Sequence, residues 1–319
     1  MTTTLPTTLA AVSAYLPATS VPIETVGEVL GLTPLDIHVY RKFYGLREVR
    51  LDPEANVADL VTAAAKGLNT LTEAAQRVRY VIHARTVHLT GPYSEHPLLE
   101  VRRTLGLEHA VSFAVTQHAC ASGLLAVDVA GRLLAADGDP DALALVLAGE
   151  KTYPHITKLM PIPTAMGEAA AACLVGHGGP GDQLLGFAAH TYGDFYTSTG
   201  MSREVTANFM KMYPQALADV IQAAATSAGV DLSTVDMILP HNVNRISWVM
   251  FARLTGFPVE RIFLDNVPVT GHGFCADPFV NYACANERGL LHPGMHYLLV
   301  SVGLGATFSA MLLRRGGAS

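Results

Sequence analysis

The segment ADLVTAAA at residues 58–65 recurs as ADVIQAAA at residues 218–225. An apolar, strand-like run follows each copy, at 78–84 after the first and at 235–241 after the second. A helix-periodic stretch followed by a short apolar run is typical of a helix that leads into a buried strand. We therefore predict that each copy opens a helix and that the two helix–strand pairs are related.

Two further elements repeat in the same order. HAC at 118–120 stands before one helical stretch and FCAD at 274–277 before another, and the apolar runs 142–148 and 296–302 come next. Four elements at similar offsets indicate an internal duplication. We predict an α/β protein with mixed sheets, whose two halves, 1–180 and 181–319, pack as five α/β/α/β/α layers. The turns at Cys120 and Cys275 should then face a common cavity.

Composition narrows the class of protein. The 319 residues are 50% hydrophobic and 15% charged, which allows a large core. We see no export signal and no apolar run of about 20 residues, so we expect a cytoplasmic protein and no membrane partner. The net charge is −6 without a basic block, which argues against a nucleic-acid partner. The four cysteines lack CxxC spacing, so we expect neither a metal site nor a disulfide framework, and we predict no cofactor.

Cys120 stands in QHACASG at 117–123, between the apolar run 110–116 and the helix-periodic stretch 123–136. A thiol at a strand-to-helix turn faces the amide donors and the positive end of the helix, which favours the thiolate. Such a thiolate is suited to accept an acyl group. The alternative is a buried structural cysteine, because free cysteine is among the most buried residue types.

Further motifs carry a family resemblance: PHNVNRI at 240–246, TGHG at 270–273 and SVGLGATF at 301–308. With the Cys120 turn and the duplication, they resemble the thiolase superfamily, and within it 3-oxoacyl-ACP synthase III, from Gly45 to Gly305. The resemblance implies the five-layered fold, Cys120 as the acylated nucleophile and His241 as the active-site histidine. It also implies a homodimer in which the strand at 111–116 pairs across the interface.

His272 departs from the family pattern. Condensing enzymes have an asparagine there, which with the histidine hydrogen-bonds the malonyl thioester oxygen during decarboxylation. A histidine makes that reaction doubtful and offers a general base for a hydroxyl or amine acceptor, a role open to His241 or His272. Family members that transfer acyl groups to oxygen or nitrogen have diverged at the same place. Thiolases also carry a glycine–histidine pair in the second half, so a Claisen reaction without decarboxylation stays open.

Two residues near these motifs have alternative interpretations. Asp277 either orients an imidazole, as in nucleophile–base–carboxylate triads, or caps a helix that has Pro278 at its first position. His118, placed on an alternating strand end, would share a face with Cys120 and either activate the thiol or narrow the pocket. A packing role for His118 is the alternative.

The resemblance also suggests where substrates bind. Around these motifs we expect substrate contacts at five positions: His118, Asn242, Gly303, Gly305 and Phe308. Asn242 replaces the family glutamine, and Phe308 stands where the family often has a tryptophan. Glu168 replaces an aspartate in a turn that we interpret as structural.

The residues with which family members bind the adenine ring of coenzyme A are missing. The tryptophan and the first arginine that stack on adenine would fall near Val39 and Phe43, and 158–165 contains no Asp-Arg pair to supply the second arginine. An acyl carrier protein is therefore the more economical donor, with acyl-CoA as the alternative. Basic residues suggest a docking rim for an acidic carrier, although isolated basic residues are usually solvated surface: Arg245, Arg253, Lys211 and Arg203.

Three functions follow from the sequence. The first is a ping-pong acyltransferase that loads Cys120 from an acyl carrier protein and passes the acyl group to a hydroxyl, amine or thiol. The acceptor would be a specialised metabolite, as in antibiotic biosynthesis, or a carrier-bound molecule. The second is a ketosynthase of fatty acid or polyketide biosynthesis. The third is a non-catalytic partner subunit, against which the retention of both Cys120 and His241 weighs.

Overall fold

A computed structural model describes residues 5–86, 96–152, 163–195 and 201–317. Strands and helices alternate through these residues. The strands are β1 (Thr7–Tyr15), β2 (Ser20–Pro22), β3 (Glu48–Arg50), β4 (Val78–Ala84), β5 (Val111–Val115), β6 (Leu143–Gly149), β7 (Ala170–His177), β8 (Asp182–Thr191), β9 (Met237–Leu239), β10 (His296–Gly303) and β11 (Thr307–Arg314). The α-helices are α1 (Ile23–Leu30), α2 (Pro34–Val39), α3 (Val57–Lys66), α4 (Leu71–Ala74), α5 (Pro97–Thr104), α6 (Ser122–Asp137), α7 (Arg203–Ser227), α8 (Arg245–Thr255), α9 (Val267–Thr270) and α10 (Asp277–Glu287).

The main sheet shows the duplication in its strand order, β5-β4-β6-β7-β1-β8-β11-β10-β9. In the first half β4 and β6 are parallel, while β7 and β1 continue antiparallel. In the second half β9 and β10 are parallel, and β11 and β8 continue antiparallel. The halves join where β1 and β8 pair at Thr8–Gln183 and Leu9–Asp182. The predicted duplicated α/β fold is confirmed.

The helices complete the layers. α6 and α10 contact strands of both halves, so they form the central layer. α3 covers β7 and β1, and α7 covers β8 and β11, so these two helices lie outside. Residues 119–137, which include α6, are long and apolar enough to cross a membrane. Most of this segment is buried within the protein, as expected of a central helix.

Two predicted elements differ in detail. The repeat at 218–225 does not open a helix, because it lies within α7, which begins at Arg203. The Ser202 hydroxyl caps that start by accepting the Val205 N–H, and Phe209 and Leu217 are buried along the added turns. The predicted strand at 235–241 is shorter, and β9 ends before Pro240, which has no N–H for a sheet.

The predicted boundary between the halves, after residue 180, falls in the turn that links β7 to β8. The two flanking strands belong to one continuous sheet. The division into 1–180 and 181–319 therefore stays a prediction about the origin of the halves.

Candidate active site

Two equivalent turns meet at the centre of the molecule. Short 3-10 turns at Ala119–Ala121 and Phe274–Ala276 precede α6 and α10. In each turn the residue before the cysteine has a positive φ, 46° for Ala119 and 55° for Phe274. That conformation is rare for residues with a side chain and is typical of functional sites. The Cys275 thiol donates to the Ala119 carbonyl at 3.2 Å, so the duplication brings the two turns into contact.

Cys120 is buried and its sulfur has two polar neighbours. Its side chain is 1% exposed and packs with Met166 and Phe274. The Thr86 hydroxyl donates to Sγ at 3.2 Å, and Nε2 of His272 lies 3.3 Å from the same atom. Apolar packing with a few directed donors fixes the position of the sulfur.

The backbone holds His272 in place on both sides. Its N–H donates to the Ala165 carbonyl at 2.8 Å, and its carbonyl accepts the Gly167 N–H at 3.0 Å. A side chain at Gly167 would place Cβ 2.1 Å from the Thr270 carbonyl oxygen, so the approach requires glycine. Next to it, Glu168 forms a salt bridge with Lys151 at 2.8 Å. The turn that we interpreted as structural thus positions the histidine.

Asp277 completes a chain of three side chains. Its Oδ2 lies 2.5 Å from His272 Nδ1, while the N–H groups of Asn242 and Gly273 donate to the carboxylate at 2.6 and 2.8 Å. The helix-cap alternative for Asp277 is wrong. α10 begins at Asp277 itself, behind Ala276, and the carboxylate turns back toward residues that precede the helix.

The charges of Asp277, His272 and Cys120 stabilise one another. Burial alone lowers the pKa of His272, but the neighbouring Asp277 and Cys120 outweigh burial and raise it to about 10. The imidazole is therefore protonated at neutral pH, with Nδ1–H directed to Asp277 and Nε2–H to the sulfur. A cation beside a cysteine sulfur stabilises the thiolate, the form that attacks acyl thioesters.

His241 lies beside His272 in a different environment. The two rings are 6.3 Å apart, and His241 Nε2 is 2.9 Å from the Tyr213 hydroxyl. Burial and the charge of His272 lower the pKa of His241 to about 3. His241 therefore stays neutral in the physiological range and acts as a hydrogen-bonding group. Both predicted histidines therefore lie in the site, and of the two it is His272 that contacts the Cys120 sulfur.

Asn242 is buried beside Asp277, whose carboxylate accepts the Asn242 N–H. Its side chain is fully buried and contacts Thr270 and Asn281, whose amide donates to the Asn242 Oδ1 at 2.8 Å. Asn266 extends this network by donating to Asn281 at 2.7 Å. The polar atoms of Asn242 thus hold the segment that carries Asp277, and its predicted substrate contact stays a prediction.

The other predicted substrate residues lie in the Cys120 turn and in the β10–β11 hairpin, whose strands contact that turn. His118 belongs to the turn, since β5 ends at Val115, so strand alternation does not set its direction as we predicted. The His118 carbonyl packs against Gly303, where a Cβ would lie 1.9 Å from that oxygen. Gly305 has a φ of 86° in the β10–β11 turn. Phe308 is buried with its ring 5.2 Å from that of Tyr213.

The predicted docking residues are on the surface. Arg245 and Arg253 are exposed at the two ends of α8, while Lys211 and Arg203 are exposed on α7. Sequence reasoning missed three residues of the site: Thr86, Tyr213 and Asn281. Asn281 stands four residues after Asp277 on one helix, a spacing that offered a signal. Thr86 and Tyr213 lie in no motif.

Comparisons with known proteins extend over most of the chain. Residues 225–315 match the family model of the 3-oxoacyl-[acyl-carrier-protein] synthase III C terminal. A beta-ketoacyl-[acyl-carrier-protein] synthase III from Lactobacillus delbrueckii subsp. bulgaricus is 25% identical over 95% of this chain and 97% of its own.

Solved structures show the same fold. The acyltransferase ChlB3 superposes with a TM-score of 0.82 and 18% identity, over 98% of each chain. The 3-oxoacyl-[acyl-carrier-protein] synthase III from Aquifex aeolicus superposes with a TM-score of 0.81 and 20% identity, over 97% of this chain and 99% of that one.

Proposed function

We propose that the chain, which is similar to 3-oxoacyl-[acyl-carrier-protein] synthase III proteins in sequence and in fold, is a ping-pong acyltransferase of the thiolase superfamily. One observation carries the proposal. Asp277, His272 and Cys120 form a continuous hydrogen-bonded chain, with distances of 2.5 Å and 3.3 Å between successive side chains. A carboxylate, an imidazole and a nucleophile in this order are the arrangement used for acyl transfer.

The first half-reaction loads the enzyme. The Cys120 thiolate attacks the carbonyl carbon of an acyl thioester, and the bond between that carbon and the donor sulfur breaks. The donor leaves as a thiol with the proton that His272 gives up from Nε2. Acyl-Cys120 and a neutral His272, still bonded to Asp277, remain.

The second half-reaction transfers the acyl group. Neutral His272 takes the proton from a hydroxyl, amine or thiol acceptor as the acceptor attacks the acyl carbon. The Cys120–acyl bond breaks, and Cys120 leaves as a thiolate beside the newly protonated His272. Acylation itself prepares the base: it removes the sulfur charge that contributes to the raised pKa of resting His272.

The same site is poorly suited to decarboxylative condensation. That reaction uses two neutral donors on one thioester oxygen to stabilise an enolate. Here His272 is committed to Asp277 and Cys120, and Tyr213 occupies Nε2 of His241. The intact chain from Asp277 to Cys120 also weighs against a non-catalytic subunit.

We further propose an acyl carrier protein as donor, with Arg245 and Arg253 at the docking rim, and a specialised metabolite or carrier-bound molecule as acceptor. The absence of the family's adenine-stacking residues from the sequence supports this donor.

We propose a homodimer in which β5 pairs with its copy. β5 is an edge strand of the main sheet, and Val111 on it is 60% exposed. Exposed sheet edges are natural sites for strand pairing.

The test combines two measurements on the purified protein. Intact-mass analysis after incubation with a panel of acyl carrier proteins and acyl-CoAs should show one acyl group on Cys120 and none on Cys120→Ala. Labelled malonyl carrier should release no carbon dioxide. Brisk release coupled to a 3-oxoacyl product would replace the transferase proposal with the ketosynthase alternative.

A further inference from the structure

Thr86 makes a hydrogen bond to the Cys120 sulfur that the proposed mechanism does not use. Its Oγ1 donates to Sγ at 3.2 Å, as close as the 3.3 Å approach of His272 Nε2. We propose that Thr86 is a second hydrogen-bond donor to the nucleophile and that it increases the reactivity of Cys120. This inference rests on the proposed role of Cys120 as nucleophile.

The scaffold fixes the position of the Thr86 hydroxyl. Thr86 follows β4 and Glu150 follows β6, which are parallel neighbours with Ala84 opposite Ala148. The carboxyl ends of parallel strands lie at one edge of a sheet, so the two residues meet there. The Glu150 carboxylate accepts the Thr86 N–H at 2.6 Å. The hydroxyl therefore approaches the sulfur from an anchored backbone.

A comparison with the duplicated cysteine shows which sulfur Thr86 serves. Thr86 Oγ1 is 3.8 Å from the Cys275 sulfur, a longer contact than the one with Cys120. Burial, and then Glu150 and Cys120, raise the pKa of Cys275 well above its usual value, and its thiol donates to the Ala119 carbonyl. Cys275 is thus a protonated donor, whereas the sulfur of Cys120 accepts from two sides.

Two donors stabilise a thiolate more than a thioester sulfur, because hydrogen bonds to an ionised group are the stronger ones. The Thr86 bond is therefore strongest in the resting enzyme and when Cys120 leaves the acyl group. Its loss should reduce the thiolate fraction and slow both half-reactions. A role confined to packing would leave the pH dependence of the sulfur unchanged.

Alkylation of Cys120 by iodoacetamide between pH 5 and 9, followed by peptide mass analysis, tests the inference. Thr86→Val keeps the shape and the N–H to Glu150 but removes the hydroxyl. We expect the pH midpoint of alkylation to rise by about one unit, so that alkylation slows by up to about tenfold at pH values below the midpoint of the unmodified protein. Thr86→Ser should restore both. Thr8→Val removes another buried hydroxyl, bonded to the Gly178 carbonyl, and should match the unmodified protein.

Each outcome decides the question. An unchanged midpoint in Thr86→Val, or a Thr86→Ser variant as slow as Thr86→Val, overturns the inference. If Thr86→Val does not fold, as judged by urea unfolding, Thr86→Ala replaces it with the same expected loss. If the unmodified protein is alkylated at Cys284 and not at Cys120, the proposed function fails before Thr86 is considered.

Discussion

Asp277 Oδ2 lies 2.5 Å from His272 Nδ1, and both side chains are buried. In such a site an unpaired charge is costly, while a charge-assisted hydrogen bond is short and strong. The carboxylate accepts two further backbone N–H groups, so it is satisfied on both oxygens. The pair fixes the ring orientation of His272 and directs Nε2 to Cys120.

Asp277→Asn should therefore slow acyl transfer by about 10⁴-fold, the scale found for the carboxylate of other triads. The amide keeps the size of the side chain but cannot hold an imidazolium. Rapid-quench measurement of acyl-enzyme decay in the presence of acceptor reports this step. Asp231→Asn, which changes an exposed turn carboxylate, is the control. A decay rate within about threefold of the unmodified enzyme would mean that His272 does not need the carboxylate.

The raised pKa of His272 predicts a pH profile for loading. In the proposed mechanism the imidazolium gives its proton to the leaving thiol, so loading needs protonated His272. The rate should not fall between pH 7 and 9 and should fall as the pH rises through about 10. Single-turnover acylation of Cys120, followed by intact mass, measures it. A fall near pH 6.5, the ordinary value for histidine, would contradict the strong coupling to Asp277.

The same shift predicts how stability depends on pH. A group whose pKa is higher in the folded than in the unfolded chain binds protons more tightly when folded, so it stabilises the fold at low pH. The contribution of His272 is complete below about pH 6.5 and is lost as the pH rises through about 10. Urea unfolding at pH 7 and pH 10.5 should show the loss. His272→Asn should lose less stability over the same range.

His272→Asn restores the family residue and tests how the two steps are divided. A thiolate activated by its helix alone would be loaded normally in this variant, but His272 Nε2 contacts the sulfur. Both loading and transfer should now fall, by about 10²-fold or more, the usual effect of losing a proton-transfer group. Selective loss of transfer, seen as a stable acyl-enzyme, would argue that Thr86 and the turn alone activate Cys120.

The sequence predicted most of the fold because its patterns are local and repeated. The run at 78–84 is strand β4 in full, and the stretch 123–136 is α6 to within a residue at each end. The duplication then placed Cys120 and Cys275 together. The repeat at 218–225 predicts a helix start there, but the helix begins at Arg203, because upstream residues that bury an apolar face, here Phe209 and Leu217, extend it.

The site was less predictable, since its contacts join distant parts of the chain. Motifs identified Cys120, His241 and His272, but not which histidine would face the sulfur. In the structure His241 is bonded to Tyr213 and His272 faces the sulfur, and no sequence spacing reveals either contact. Asp277 had two interpretations from sequence, because Asp-Pro is also a helix-start pattern. The orientation of its carboxylate decides between them, and orientation is a property of packing.

Tyr213→Phe should destabilise the protein by about 1–3 kcal/mol, because it leaves Nε2 of the buried His241 without its partner. Urea unfolding at pH 7 measures the change. Tyr192→Phe removes a phenol hydroxyl from a half-buried ring beside Phe308 and should change stability by less than about 0.5 kcal/mol. Equal effects of the two substitutions would show that the Tyr213 hydroxyl has no special role.

The proposed carrier docking predicts a dependence on charge and salt. Arg245→Glu and Arg253→Glu should each lower kcat/KM for an acyl carrier protein, but not for the same acyl group on a pantetheine thioester, because the small donor does not reach the rim. Added salt should weaken the carrier reaction of the unmodified enzyme, since exposed charges are screened over about 8 to 10 Å at physiological ionic strength. Arg314→Glu makes the same charge change at the end of β11 farthest from the Cys120 turn and should leave kcat/KM for both donors unaffected.

Equal losses of kcat/KM with the carrier and the small donor would show that the two arginines do not recognise the carrier. An acyl-CoA used as efficiently as the carrier, with no salt effect, would assign the donor role to coenzyme A.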